Sequence, residues 1–278
     1  MIKILIALFL SANMAFASLN VAVSIAPQKW FVEQIIGEDG GITVLVPSGA
    51  SPATYAPKPS QLRAIKKATL YFTIGVPFEK NWLKRFMSIN PNLQLIDTTK
   101  GLHKLSMVHK EHDAHKHEGL DPHVWLSPKY AKTQAKNILD ALITANKTKA
   151  KIYHDNYQAL LQKIDALDKE INTILSPIKE RSFIVFHPSF GYFAKDYNLT
   201  QIAIEKEGKE PSLKYIKHII DYAKAHQIRT VFIAPQFSKK AAKTIASKIQ
   251  GNVVTIDHLA EDWDKNLLNI ARSFEKAN

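Results

Sequence analysis

Residues 128–175 read PKYAKTQAKNILDALITANKTKAKIYHDNYQALLQKIDALDKEINTIL, and the organisation of the chain turns on this stretch. No glycine occurs between Gly119 and Gly191 and no proline between Pro128 and Pro177, so helix-breaking residues are missing from the interval. Two helices are expected in it. The first runs from about Pro128 to Ala145, with Ser127 placed to cap it and Pro128 at the first helical position, where a missing N–H is harmless. The second runs from about Thr148 to Leu175 and sets Ile152, Tyr157, Leu160, Ile164, Leu167, Ile171 and Ile174 on one face. At about 1.5 Å per residue it extends on the order of 40 Å, more than one small lobe needs. Its expected place is therefore between two lobes, as a rigid bridge. The apolar run is too short to favour coiled-coil pairing, and a monomer is expected.

Working outward, short β-branched or apolar runs lie on both sides of this interval, each followed by a helical pattern. Before it come Leu19 to Ile25, Ile42 to Val46, Thr69 to Ile74 and Leu93 to Ile96; after it come Phe183 to Phe186, Thr200 to Ile204, Thr230 to Ile233 and Val253 to Ile256. Strands alternating with helices argue for parallel sheets built from βα units. The fold class expected is α/β, two βα lobes with parallel four-stranded sheets joined by one long rigid helix. The boundaries follow as 18–147 for the first lobe, 148–177 for the linker helix and 178–278 for the second lobe.

Residues 1–17 stand apart from this plan. Lys3 precedes an apolar run from Ile4 to Leu10, and Ala15-Phe16-Ala17 gives the small-x-small pattern before Ser18, the layout of a secretory signal peptide cleaved after Ala17. No other stretch approaches the roughly 20 apolar residues of a spanning helix. The chain has no cysteine, which excludes disulfides, a thiol-linked lipid anchor and thiolate metal ligands. A soluble periplasmic protein is expected. The formal charge of +12 is spread along helical segments and not clustered with aromatics, so it reads as a solvated basic surface and no nucleic-acid partner is expected.

The chemistry is concentrated in histidine. His109, His112, His115 and His117 crowd one polar segment, part of a loop spanning residues 103–120, and Asp121-Pro122-His123 follows at once. Imidazole is the commonest protein ligand for zinc, copper and nickel. In open parallel sheets, ligands bind outside the carboxyl ends of the strands. His187 directly follows the run Phe183 to Phe186, Asp257 directly follows Val253 to Ile256, and His123 stands just before a helix start. Two imidazoles and a carboxylate from different loops are the ingredients of a zinc-type site with room for one further ligand.

Four motifs extend the reading. Asp121-Pro122-His123-Val124-Trp125-Leu126-Ser127-Pro128, His187-Pro188-Ser189-Phe190-Gly191-Tyr192-Phe193, Glu210-Pro211-Ser212 and Pro235-Gln236-Phe237-Ser238 resemble the signatures of the periplasmic zinc and manganese substrate-binding proteins of ABC transporters, the ZnuA-like proteins. The likeness covers essentially the whole chain after residue 17. It implies two α/β lobes joined by a rigid helix, a metal held in the cleft between them, and delivery to a membrane permease. On that resemblance His123 from the first lobe and His187 and Asp257 from the second are ligands. One position departs from it. Where relatives carry Asp-Pro-His-x-Tyr-x-Pro in the first lobe, this chain has Ser51-Pro52-Ala53-Thr54-Tyr55-Ala56-Pro57, and alanine cannot ligate. Tyr55, a water or an imidazole from His103 to His117 stays open as the fourth ligand.

Zinc is favoured over manganese, which prefers more oxygen ligands. Because imidazole must be neutral to bind, affinity is expected to fall as pH drops through about 6.5. A His-Glu-x-x-His hydrolase is excluded, since Gly119 and Pro122 would break the helix it needs, and no enzyme activity is expected. The competing readings are a binder of different specificity and a histidine-rich metal buffer or adhesin.

Overall fold

The computed structural model describes residues 19–107, 119–205 and 211–278. The expected signal peptide and His109, His112, His115 and His117 lie outside the described residues. The first sheet is built from β1 (Leu19–Ile25), β2 (Gly40–Val46), β3 (Leu70–Thr73) and β4 (Gln94–Asp97), in the order β2-β1-β3-β4. The second is built from β5 (Ser182–Val185), β6 (Thr200–Ala203), β7 (Thr230–Ile233) and β8 (Asn252–Thr255), in the order β6-β5-β7-β8. Every pairing is parallel, with Val21 opposite both Ile42 and Leu70, and Ile184 opposite both Ile202 and Val231.

Burial follows strand position. β1 is buried at every residue except Asn20, and β5 and β7 throughout, as expected where helices cover both faces of a parallel sheet. The edge strands β2, β4, β6 and β8 are partly exposed. Those eight strands are the eight runs expected from sequence, with ends displaced by at most two residues.

The helical interval is also as expected. α4 spans Pro128–Ala145, and Ser127 Oγ accepts from the Tyr130 backbone N–H at 3.1 Å to cap it. α5 spans Ala150–Leu175, 26 residues and about 39 Å long. The buried stripe of α5 is Tyr153, Leu160, Ile164, Leu167, Ile171 and Leu175. Ile152, expected on that stripe, is 48% exposed, and Tyr157 and Ile174 are half-buried. At about 100° per residue Tyr153 lies within roughly 20° of Leu160, whereas Ile152 lies about 80° away.

α5 packs against α1 (Ala26–Ile36) and α4 on the side of the first sheet, and against α9 (Trp263–Lys276) on the side of the second. One apolar core consequently runs through both lobes. It includes Val21, Val23 and Phe72 of the first sheet, the stripe of α5, and Phe183, Val185 and Phe232 of the second. Residues that alternate with these, Ile184, Val231 and Ile233, face a separate cluster under α7 (Leu213–Ala225) and α8 (Lys239–Lys248).

Trp263 at the start of α9 joins the two lobes. It is 1% exposed, its ring centroid lies 5.0 Å from Trp30 and 4.7 Å from Phe31, and its Nε1 donates to the Trp125 carbonyl at 2.6 Å. Lys29 pairs with Glu261 at the rim, an exposed ion pair worth under about 1 kcal/mol. Truncating Trp263 to Ala should remove about 3–5 kcal/mol of stability, read as a lower urea midpoint, whereas Lys29→Ala should leave that midpoint nearly unchanged.

Candidate metal centre

All strands of the second sheet point the same way, so the segments after β5, β7 and β8 emerge at one edge. His187 follows β5 by two residues, Gln236 and Phe237 follow β7, and Asp257 and His258 follow β8. His123 reaches this edge from a segment that carries no sheet strand. It precedes a 3-10 turn, Val124–Leu126, and the segment is bonded to the second lobe along its length. Tyr192 Oη donates to the Asp121 carbonyl at 2.8 Å, Trp125 Nε1 donates to the His258 carbonyl at 2.7 Å, and Ser127 Oγ donates to Asp196 Oδ2 at 2.5 Å.

The result is a triangle of imidazoles. Ring centroids are 5.3 Å apart for His123 and His187, 5.6 Å for His123 and His258, and 5.8 Å for His187 and His258. His123 is 6% exposed, His258 is 4% exposed and His187 is half-buried. Three imidazoles on a tetrahedral ion, with metal–nitrogen bonds of about 2.0–2.1 Å, set their centroids about 5 Å apart. As the side chains stand, no group of three or more His, Asp or Glu among the described residues is close enough to hold a metal ion.

Two of the rings are held by carboxylates. His123 Nδ1 lies 2.7 Å from Asp121 Oδ1, which also accepts the His123 backbone N–H at 2.9 Å. Asp121 is itself enclosed, and a Cβ on Gly191 would stand 3.1 Å from its Oδ2. His187 Nδ1 lies 3.2 Å from Glu205 Oε2, and the His187 ring stacks on Phe237 at 4.9 Å. Glu205 arrives there because its N–H extends the β5–β6 pairing, donating to the Phe186 carbonyl at 2.8 Å. A carboxylate on one ring nitrogen fixes the tautomer and turns the other toward an ion, the usual arrangement behind ligating histidines. Neither Asp121 nor Glu205 was expected from sequence in this role; the spacing Asp-x-His was a signal for the first, whereas Glu205 is distant in sequence.

Of the four ligands expected from sequence, His123 and His187 are neighbours. Asp257 stands at the same edge, half-buried, with Oδ1 accepting from Gln236 Nε2 at 3.0 Å and from the Leu259 N–H at 2.9 Å. Tyr55 lies on the loop between β2 and α2 (Pro59–Lys67), where its hydroxyl donates to Gln61 Oε1 at 2.9 Å and its ring faces Phe78. Ala53 on the same loop is exposed. His258, adjacent to Asp257, completes the triangle without having been expected there.

Burial depresses the pKa of His187, and Glu205 only partly opposes it. For His258 burial acts first, the neighbouring His123 and His187 act in the same direction, and its pKa falls well below the ordinary imidazole range. Both rings are thereby held neutral, the form that ligates.

Two parallel α/β lobes bridged by one helix, with neutral imidazoles gathered at a strand edge and backed by carboxylates, define the class of two-lobed binding proteins with a metal-type site. A family model described as zinc-uptake complex component A, periplasmic, matches residues 21–277, and the chain belongs to that family. It is a family of zinc-uptake components. The chain is 28% identical to the high-affinity zinc uptake system protein ZnuA of Bacillus subtilis, over 92% of its length and 85% of that protein. A crystal structure of a ZnuA deletion mutant with zinc bound superposes with a TM-score of 0.88 at 41% identity, covering 94% of this chain and 98% of that one. A second ZnuA crystal structure gives 0.87, also at 41% identity, covering 94% and 99%.

The depressed imidazole values carry a stability consequence in metal-free protein. A base whose pKa is lower folded than unfolded favours the unfolded state as pH falls below its unfolded value, about 6.5, and continues to do so until the folded value is reached. Stability should be lost in that window. Urea midpoints of metal-free protein at pH 7.5 and 5.5 should fall with pH, and His258→Gln should flatten part of the slope.

Proposed function

We propose that this chain captures zinc in the periplasm and delivers it to the membrane permease of an ABC transporter. The observation that carries this reading is the pair of carboxylate-backed imidazoles, Asp121–His123 and Glu205–His187, meeting at the carboxyl edge of the second sheet. Ligating histidines usually carry such a partner on the ring nitrogen that does not bind the metal. Membership of the zinc-uptake family supports the same cargo. In this reading His123, His187 and Asp257 are ligands, Asp257 through Oδ2, since its Oδ1 already accepts two hydrogen bonds.

An imidazole-rich donor set suits a borderline acid such as Zn2+ better than Mn2+, which prefers oxygen. Tyr55 is assigned to packing and to its hydrogen bond with Gln61, not to the ion. The division 18–147, 148–177 and 178–278 gives the lobes and linker, with residues 1–17 as signal peptide and His109, His112, His115 and His117 as an accessory collecting segment. Among the described residues no helix is long and apolar enough to cross a membrane. The protein acts as a monomer, with the ion and the permease as its partners and no nucleic acid.

Protein purified without chelator should carry one equivalent of zinc by elemental analysis, and competition with a chromophoric chelator should rank zinc above manganese. His187→Ala should weaken zinc by more than about 100-fold, beyond the loss typical of removing an outer-shell partner. Tyr55→Phe should bind like the parent. Several weak equivalents in place of one tight one would point instead to a metal buffer, and equal affinity for manganese would remove the zinc assignment. Delivery is tested by zinc uptake into vesicles carrying the permease, which the parent should support and His187→Ala should not.

A further inference from the structure

We infer that His258 is a direct ligand of the captured ion, so that the site is a three-imidazole centre built from the second lobe and the segment bonded to it. This inference rests on the metal-capture reading above and adds a ligand to it.

Three observations converge. The first is position: the His258 ring centroid lies 5.6 Å from His123 and 5.8 Å from His187, close to the roughly 5 Å set by imidazoles sharing a tetrahedral ion. The second is an unpaired atom. His258 Nδ1 is buried and has no hydrogen-bond partner. Among the described residues only three buried side-chain polar atoms are in that condition, and Gln236 Oε1, beside Asp257, is another. A buried nitrogen left unpaired costs about 1–3 kcal/mol, and native structures keep such groups where a role repays them. Binding an ion through the ring provides one.

The third observation is rigidity without local hydrogen bonding of the ring. The His258 backbone is fixed by Trp125 Nε1 on its carbonyl at 2.7 Å, and Asn266 Nδ2 holds the preceding Asp257 carbonyl at 2.6 Å. No neighbour takes the buried Nδ1 of His258. His258 is anchored by its main chain and leaves its ring unspent. Ala53, meanwhile, offers no donor from the first lobe, and Tyr55 has given its hydroxyl to Gln61.

A functional consequence follows for specificity and motion. With His123, His187 and His258 all anchored to the second lobe, the ion is coordinated without any donor from the first sheet. The first lobe then shields the site, and capture needs small ring movements in place of lobe closure. Three imidazoles also strengthen the preference for zinc over manganese.

The test is a zinc titration of the whole protein, followed by NMR of 15N-labelled histidine rings, beside chelator competition on His258→Ala, His258→Gln and His187→Ala. In the parent protein the ring nitrogens of His258, assigned by their absence in His258→Gln, should move to metal-bound shifts with one equivalent of zinc. Both His258 variants should lose more than about 100-fold in affinity, as His187→Ala does. Should either His258 variant fail to fold, the ring shifts in the parent decide. His258 shifts that stay unchanged at saturation, with His187 shifts moving, overturn the inference and leave the capture reading standing. Parent protein that takes up no zinc at all overturns that reading first and this one with it.

Discussion

Two indole hydrogen bonds hold the arrangement on which the rest depends. Trp125 donates to the His258 carbonyl and Trp263 donates to the Trp125 carbonyl, so the segment after the first lobe, the segment after β8 and the start of α9 are tied at one point. Each indole is about 1% exposed. In that setting a donor without a partner would cost about 1–3 kcal/mol, and each bond is correspondingly specific in geometry. His123 lies two residues before Trp125, and His258 bears the carbonyl that Trp125 holds. The same bond that joins the lobes therefore sets the spacing of two imidazoles.

The consequences for motion follow from the core. α5 touches the helices of both lobes, and its stripe from Tyr153 to Leu175 belongs to a single apolar cluster with β1 and with β5. A wide hinge would have to break that cluster and expose Trp30, Phe31 and Trp263 together, at about 25 cal/mol per Å2 of apolar surface. Small adjustments of side chains at the strand edge require nothing of the kind. Motion in a protein built this way is least costly where it stays local to the strand edge and its rim, since few buried contacts are broken there.

Much of this was legible in the sequence because the signals were long and redundant. The eight strands were each a compact apolar run between turn residues, and α4 was marked at its start by Ser127 and Pro128, so local chemistry and tertiary structure agreed. Ile152 misled because an apolar residue near a helix end fits a loose spacing, whereas the angular position that decides burial belongs to Tyr153. His123 and His187 could be read from their place at strand or helix ends. Glu205 could not, since its approach to His187 depends on β6 pairing beside β5. His258 follows Asp257 at the same strand end, and nothing linear tells which of two neighbours faces the other loops.

Asp257 and His258 differ in what each spends locally. Asp257 and His258 leave β8 in succession, and their backbones are both held, by Asn266 and by Trp125. Asp257 uses Oδ1 to accept the Leu259 N–H and the Gln236 amide, a local turn with a cross-strand brace. His258 leaves its buried Nδ1 without a hydrogen-bond partner. The chain as a whole is basic, yet the charged groups nearest the triangle are the carboxylates of Asp121 and Glu205, and burial keeps the His187 and His258 rings neutral. The positive charge of the surface is screened over about 8 Å in physiological salt, whereas the carboxylates act on the ring nitrogens directly. The charged groups nearest the imidazole triangle are therefore acidic, whatever the sign of the molecule as a whole.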